Sequence, residues 1–298
     1  MTTHKATPSS RPHRNRLVRR IRAGALAVAA ALSVGAGALV AAPAASAAPA
    51  GNVVIMGDSY AANPDQYYNT LRGIDGFVPD NYPVTGNCLQ AQNNWPRLMQ
   101  QRHGLAVNDW SCSGMTSHSA LGRIDRAVNA GDIHPGTRTV VLNYGMNNFG
   151  PGGTDNGADF LNPGDVRNRY LADVRAAAAK VRSAAPGARI VMAGQMAITS
   201  NGMFCFANVV PDFPAGLPIP VLSDVEKWLR GNQQEAARQI GASFVDLKTE
   251  SAGNATCSPD QDRYVAGILD TTTPNYNMMI HPSLKGSTFI ADRMAGAV

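Results

Sequence analysis

Val53-Val54-Ile55-Met56-Gly57-Asp58-Ser59-Tyr60 is the stretch on which the reading of this chain turns. Four apolar residues in an unbroken run suit a short strand covered on both faces, as in a parallel sheet. Gly-Asp-Ser supplies ordinary turn residues, so the strand ends there and Ser59 is presented at its exit. On its own that describes any turn; its meaning comes from the segments that follow.

Three later segments repeat the placement. Residues 106–111 read as a second strand leading to Ser113-Gly114, and residues 139–144, with Val140-Val141-Leu142 unbroken, as a third leading to Gly145-Met146-Asn147-Asn148. His281-Pro282 lies near the C-terminus, just before a predicted last helix. A helix near Trp95–His103 is closed by Gly104, a second pattern covers 119–129, and Pro163 opens a long helix to about Ala184 that Pro186-Gly187 stops. Arg189–Ala193 and 243–247 read as further strands, with Ser223 and Glu226 as a capping box for the helix between them. The Gly- and Pro-rich stretches 150–164 and 208–220 are predicted as long surface loops.

This alternation predicts an α/β fold, a doubly wound parallel five-stranded sheet with helices on both faces. Such sheets place their sites beyond the C-terminal ends of the strands. Ser59, Gly114 and Asn147 all follow strands. His103 and His134 precede strands and belong at the opposite end, whereas His118 falls on the same side as Ser59 and rivals His281 for a place beside it.

The ordered blocks resemble the SGNH hydrolases, also called the GDSL esterase/lipase family, in their secreted actinobacterial type. The name comes from Ser, Gly, Asn and His in four separated blocks, here Ser59, Gly114, Asn147 and His281. The resemblance spans nearly all of the chain after residue 50 and implies the flavodoxin-like form of the predicted sheet. It implies Ser59 as nucleophile and His281 as base. The backbone N–H groups of Ser59 and Gly114, with the Asn147 amide, would form the oxyanion hole, without a metal or organic cofactor.

These residue types suit acyl transfer. A serine hydroxyl needs a neighbouring base to become nucleophilic, glycine lets the backbone approach an oxyanion, and an Asn amide is a donor that needs no titration. Three positions depart from the family pattern. Tyr60 replaces the usual Leu, Asn148 stands where many members have Asp, and the place three before the histidine, usually Asp, is Met278. Some secreted relatives orient the histidine with a main-chain carbonyl, which implies the carbonyl of Met278. Asp270 is the alternative acid, within reach only if loop 271–277 folds back.

Cys88, Cys112, Cys205 and Cys257 are an even set suited to two disulfides in an oxidising compartment, with three possible pairings. The resemblance, through Cys112-Ser113-Gly114, favours Cys88–Cys112 and Cys205–Cys257. No C-x-x-C spacing suggests a metal site.

Residues 1–50 hold seven basic and no acidic residues, an apolar stretch at 23–42 and an A-x-A motif at Ala45-Ser46-Ala47. This is a signal-peptide layout, so residues 1–47 are expected to be removed, leaving one hydrolase domain over 48–298. The product would be secreted or lie in the cell envelope, as a monomer with no stable membrane span. Of 26 basic residues, those seven leave 19 against 21 acidic, a net charge of −2. That gives no support for nucleic-acid binding.

No H-E-x-x-H, P-loop or post-strand G-x-G-x-x-G occurs, and Gly57–Ala61 departs from G-x-S-x-G at its last position, against an α/β-hydrolase fold. The expected activity is hydrolysis of carboxylic esters through an acyl-enzyme on Ser59, with a lipid or cell-envelope ester as substrate. A cell-envelope acyltransferase and a non-catalytic binding protein on the same fold are the alternatives. Apolar residues of 203–222, such as Phe204, Phe206 and Phe213, are expected either to line an acyl pocket or to pack around Cys205.

Overall fold

The computed structural model describes residues 47–298. The leader expected at 1–47 and its cleavage motif therefore fall, apart from Ala47, outside the described residues. The strands are β1 (Val53–Gly57), β2 (Val84–Thr85), β3 (Cys88–Leu89), β4 (Val107–Asp109), β5 (Thr139–Asn143), β6 (Arg189–Ala193), β7 (Met203–Asn208), β8 (Ala215–Pro218), β9 (Ser243–Val245) and β10 (Leu269–Asp270). The helices are α1 (Ser59–Ala62), α2 (Gln66–Leu71), α3 (Trp95–His103), α4 (Ser117–Asn129), α5 (Pro163–Ala184), α6 (Pro220–Gln239), α7 (Leu247–Glu250) and α8 (Leu284–Ala295).

Five strands form one parallel sheet in the order β4-β1-β5-β6-β9. Every residue of β1 and β5 is buried, as their unbroken apolar runs require. Successive side chains point to opposite faces. Val54, Met56, Val140, Leu142 and Met192 join the core beneath α4, α5 and α6. Val53, Ile55, Val141 and Val191 meet Trp95 and Met99 of α3 and Ile290 and Met294 of α8. Each fully buried Val, Leu or Ile contributes about 1.5–3 kcal/mol. The chain order reverses between β1 and β5, which makes that crevice the topological switch point of the sheet.

Several local expectations hold: Gly104 caps α3 with φ +65°, and Pro163 is the first residue of α5 behind an Asn162 cap. Two do not. Helix α6 begins at Pro220, before the expected capping box, and Glu226 is turned inward. Its carboxylate accepts the Ile198 N–H at 2.6 Å and pairs with Lys248 at 3.0 Å, satisfying backbone that follows β6 instead of backbone at its own helix start. The expected loop at 208–220 is largely the β7–β8 hairpin, which β10 extends to a three-stranded sheet.

Disulfides join Cys88 to Cys112 and Cys205 to Cys257. The first ties the β2–β3 hairpin to the turn carrying Gly114; the second ties β7 to the loop after α7. No described helix is long and apolar enough to cross a membrane.

Candidate active site

Asp58 lies between β1 and α1 as the N-cap of the helix. Its Oδ1 accepts the Tyr60 N–H at 3.0 Å, so Ser59 is the first helical residue at the C-terminal end of the strand. The first N–H groups of a helix have no intrahelical acceptor, which leaves the Ser59 amide free to serve a ligand. Gly114 follows β4 with φ +79°, a left-handed turn that a side chain would strain. Gly145 follows β5 with φ +136°; a Cβ there would lie 2.7 Å from Leu229 and 2.9 Å from Tyr170.

That sharp exit delivers Asn147 to the same place. Its Nδ2 donates to the Met115 carbonyl at 3.0 Å, joining the third block to the residue after Gly114 and leaving a second N–H. Asn148 is buried and does two jobs that a carboxylate could not combine. Its Oδ1 accepts the Ser117 N–H at 3.1 Å while its Nδ2 donates to Ser117 Oγ at 2.8 Å. Ser117 Oγ donates in turn to Asp173 at 2.7 Å. An amide donates and accepts, whereas an ionised Asp only accepts, so Asn in place of the family's frequent Asp is a working substitution.

His281 reaches this corner from the far end of the chain, its ring centroid 5.0 Å from that of Tyr60, the neighbour of Ser59. Nδ1 lies 2.8 Å from the carbonyl of Met279. A carbonyl only accepts, so Nδ1 carries the proton and Nε2 keeps its lone pair. Nε2 is buried without a hydrogen-bond partner. Burial draws the ring pKa down to about 4, against the Met279 carbonyl, which raises it.

Two expectations about this histidine are corrected. The orienting carbonyl belongs to Met279, not Met278, because Ile280 takes φ +60° and turns the chain back so that the nearer carbonyl meets the ring. Asp270 is not the acid. Its oxygens accept five hydrogen bonds, from Gly267 N, Asn208 Nδ2, Thr272 N, Thr273 N and Thr273 Oγ1. Burial opposes the ionised form, yet these bonds hold the carboxyl below its ordinary value, so it serves as the organiser of its own loop.

The other histidines are engaged elsewhere. His118, in the first turn of α4, lies 3.3 Å from Asp173. His103 contacts Asp292 at 2.7 Å, and His134 accepts the Gly136 N–H at 3.1 Å. Among the described residues no group of three or more His, Cys, Asp or Glu side chains is placed to hold a metal ion.

Beside Gly114 and Asn147 runs a groove of about 470 Å³, walled by Met146, Phe149, Val221, Leu222 and Val225. Phe204 instead packs inward with Tyr60 and Ile198, while Val209, Val210, Phe213 and Leu217 face solvent. The apolar wall thus comes from Met146, Phe149 and the first turns of α6, so that of 203–222 only Val221 and Leu222 at its end contribute, and none of its phenylalanines. A larger cavity of about 660 Å³ lies beyond β6 and β9, away from the four blocks, lined by Lys227, Arg230 and Lys248. Each of these cations is paired with a carboxylate, Asp224, Asp246 or Glu226.

Burial raises the Asp58 carboxyl to about 7, against the N–H groups of Tyr60 and Gly145. The folded protein therefore keeps this proton up to about pH 7, while the unfolded chain loses it near 3.8. Stability falls as pH rises between those values and stays at the lower level above them. Asp58→Asn removes that dependence, so its advantage over wild type is expected to grow with pH, from about 2 kcal/mol at pH 5 to about 4 kcal/mol at pH 7 and above. Thermal melts of both proteins check this; parallel pH dependence would refute it.

A strand-one serine, a glycine turn, an asparagine and a C-terminal histidine, gathered at the switch point of a five-stranded parallel sheet, define an SGNH-type hydrolase fold. The chain belongs to the GDSL-like lipase/acylhydrolase family, whose profile matches residues 55–288. It is 25% identical to a Streptomyces scabiei esterase, over 82% of this chain and 85% of that protein. To lipase 2 of Streptomyces coelicolor it is 24% identical, over 80% and 83%. Among solved structures, the extracellular lipase of Streptomyces rimosus superposes with a TM-score of 0.55 at 18% identity, covering 84% of this chain and all of that one. Phospholipase A1 of Streptomyces albidoflavus gives 0.53 at 18%, with the same coverage.

Proposed function

We propose that this protein is a secreted serine esterase or lipase that cleaves carboxylic esters through an acyl-enzyme on Ser59. The observation that carries the reading is His281, with Nδ1 protonated against a carbonyl and Nε2 buried and bare beside the residue that follows Ser59. His281 takes the Ser59 proton as the hydroxyl attacks the acyl carbonyl and returns it to the leaving alkoxide; water then releases the acid by the reverse sequence. The Ser59 and Gly114 N–H groups and the free N–H of Asn147 receive the oxyanion. The apolar groove beside Asn147 suits the acyl chain. The basic, apolar leader in the sequence and two disulfides support export to an oxidising compartment.

The test is hydrolysis of p-nitrophenyl esters by the protein lacking residues 1–47, with mass spectrometry of its fluorophosphonate adduct. Turnover with the adduct on Ser59 supports the reading. No turnover and no adduct would leave a binding protein on a hydrolase fold. Acyl transfer to an added alcohol in preference to water would instead make it an acyltransferase. The base must be neutral, so kcat/KM is expected to hold its plateau through pH 6 and to fall only as the pH approaches about 4. An acid limb centred near the ordinary histidine value of 6.5 would contradict a buried base.

A further inference from the structure

Tyr60 stands where the family usually carries leucine, and its side chain is buried at 5% exposure. Its hydroxyl donates to the Ile280 carbonyl at 2.8 Å, and its ring packs on that of His281. Ile280 is β-branched and left-handed at φ +60°, a conformation that persists only when its surroundings over-determine it. It lies between the Met279 carbonyl that meets Nδ1 and His281 itself.

The same segment after Ser59 grips the loop at further points. Asn63 Nδ2 donates to the Pro282 carbonyl at 2.9 Å, Gln66 N–H to the Asn277 carbonyl at 3.0 Å, and the Met279 N–H to Gln66 Oε1 at 3.0 Å. From the other side, the Ile280 N–H donates to the Ala266 carbonyl at 3.1 Å. Of these contacts, the Tyr60 hydroxyl alone holds the Ile280 carbonyl.

We propose that Tyr60 is a positioning residue for His281, its hydroxyl fixing the Ile280 peptide in the left-handed turn that sets Nδ1 on the Met279 carbonyl. The inference rests on His281 acting as the base in the proposed esterase. In a site with no carboxylate on the imidazole, the carbonyl contact is what selects the tautomer. That contact survives only while the turn does. Without the hydroxyl, Ile280 is released to relax toward negative φ, and the peptide it flips carries the ring with it. Leucine at this position would fill part of the space and supply no donor, so this chain exchanges a packing residue for one that pins the histidine loop.

The test compares wild type, Tyr60→Phe and Tyr60→Leu in the protein lacking residues 1–47. Tyr60→Phe keeps the ring and removes one oxygen. It is expected to unfold cooperatively and to lose about 10- to 100-fold in kcat with KM within about twofold, the signature of a misplaced catalytic group. Tyr60→Leu, which also loses the ring contact, is expected to lose more. Imidazole 15N NMR gives a readout that packing alone does not move: a single Nδ1–H tautomer of His281 in wild type and a tautomer mixture in Tyr60→Phe. Wild-type kcat in Tyr60→Phe, or a lowered kcat with the tautomer unchanged, overturns the proposal. Activity that survives in His281→Ala overturns instead the esterase reading on which it rests.

Discussion

Ser59→Ala is expected to lower kcat/KM for a short p-nitrophenyl ester by on the order of 10⁴-fold or more and to abolish labelling by a fluorophosphonate. His281→Ala is expected to cost about as much, and the double variant little more, because nucleophile and base act as one unit. His118→Ala is the control. His118 is nearly half exposed and engaged with Asp173, so its removal should leave turnover within about twofold. A large loss in His118→Ala with a mild one in His281→Ala would reverse the assignment of the base. The absence of a carboxylate on His281 sharpens the result. When an acid partner is replaced so that the wrong tautomer forms, a serine hydrolase loses about 10⁴-fold. Here Nδ1 lies 2.8 Å from the Met279 carbonyl, so a base in the proposed reaction would keep its orientation while forgoing charge stabilisation of the imidazolium.

Asn147→Ala is the second large effect. Removing one oxyanion donor costs about 10²–10³-fold in kcat with a small change in KM, because the bond is made to the transition state and not to the ground-state ester. The side-chain amide also bonds the Met115 carbonyl, so the substitution releases the Gly114 turn as well. Asn147→Asp removes both bonds at once, since an ionised carboxylate can donate neither to the oxyanion nor to the Met115 carbonyl. It preserves the shape but places an acceptor where a donor is needed, and it is expected to be at least as inactive as Asn147→Ala. An Asn147→Asp enzyme within tenfold of wild type would remove Asn147 from the oxyanion hole. Both sets of variants are read by steady-state kinetics, with thermal melts to confirm folding.

The parts of this molecule that were legible before its structure are those set by short-range rules. Val53–Met56 and Val140–Leu142 are apolar on both alternating faces, so they had to be central parallel strands. Gly104 and Pro163 punctuate helices by their own backbone preferences. Three of the four blocks inherit that legibility, since Ser59, Gly114 and Asn147 each follow a strand whose end is visible in the sequence, whereas His281 sits in the loop before α8. The placement of Ser59, Gly114 and Asn147 on one side of the sheet then follows from parallel topology alone. Ser223 and Glu226 show the limit of such reading: the spacing fits a capping box, but two buried N–H groups at Ile198 and Thr199 needed an acceptor, and Glu226 was turned to meet them.

By itself, the sequence determined where the five strands of the main sheet lie, because that depends on local backbone preference and on hydrophobic pattern, and, through the resemblance of its ordered blocks, the family. The tertiary structure decided which carbonyl holds His281, that Asp270 is consumed by its own loop, that Tyr60 grips Ile280 across 220 residues of sequence, and that α6 and Phe149 wall the groove. The physical reason is the same in each case. A left-handed isoleucine and a saturated carboxylate are set by hydrogen bonds between segments far apart in the chain, and no local preference announces them.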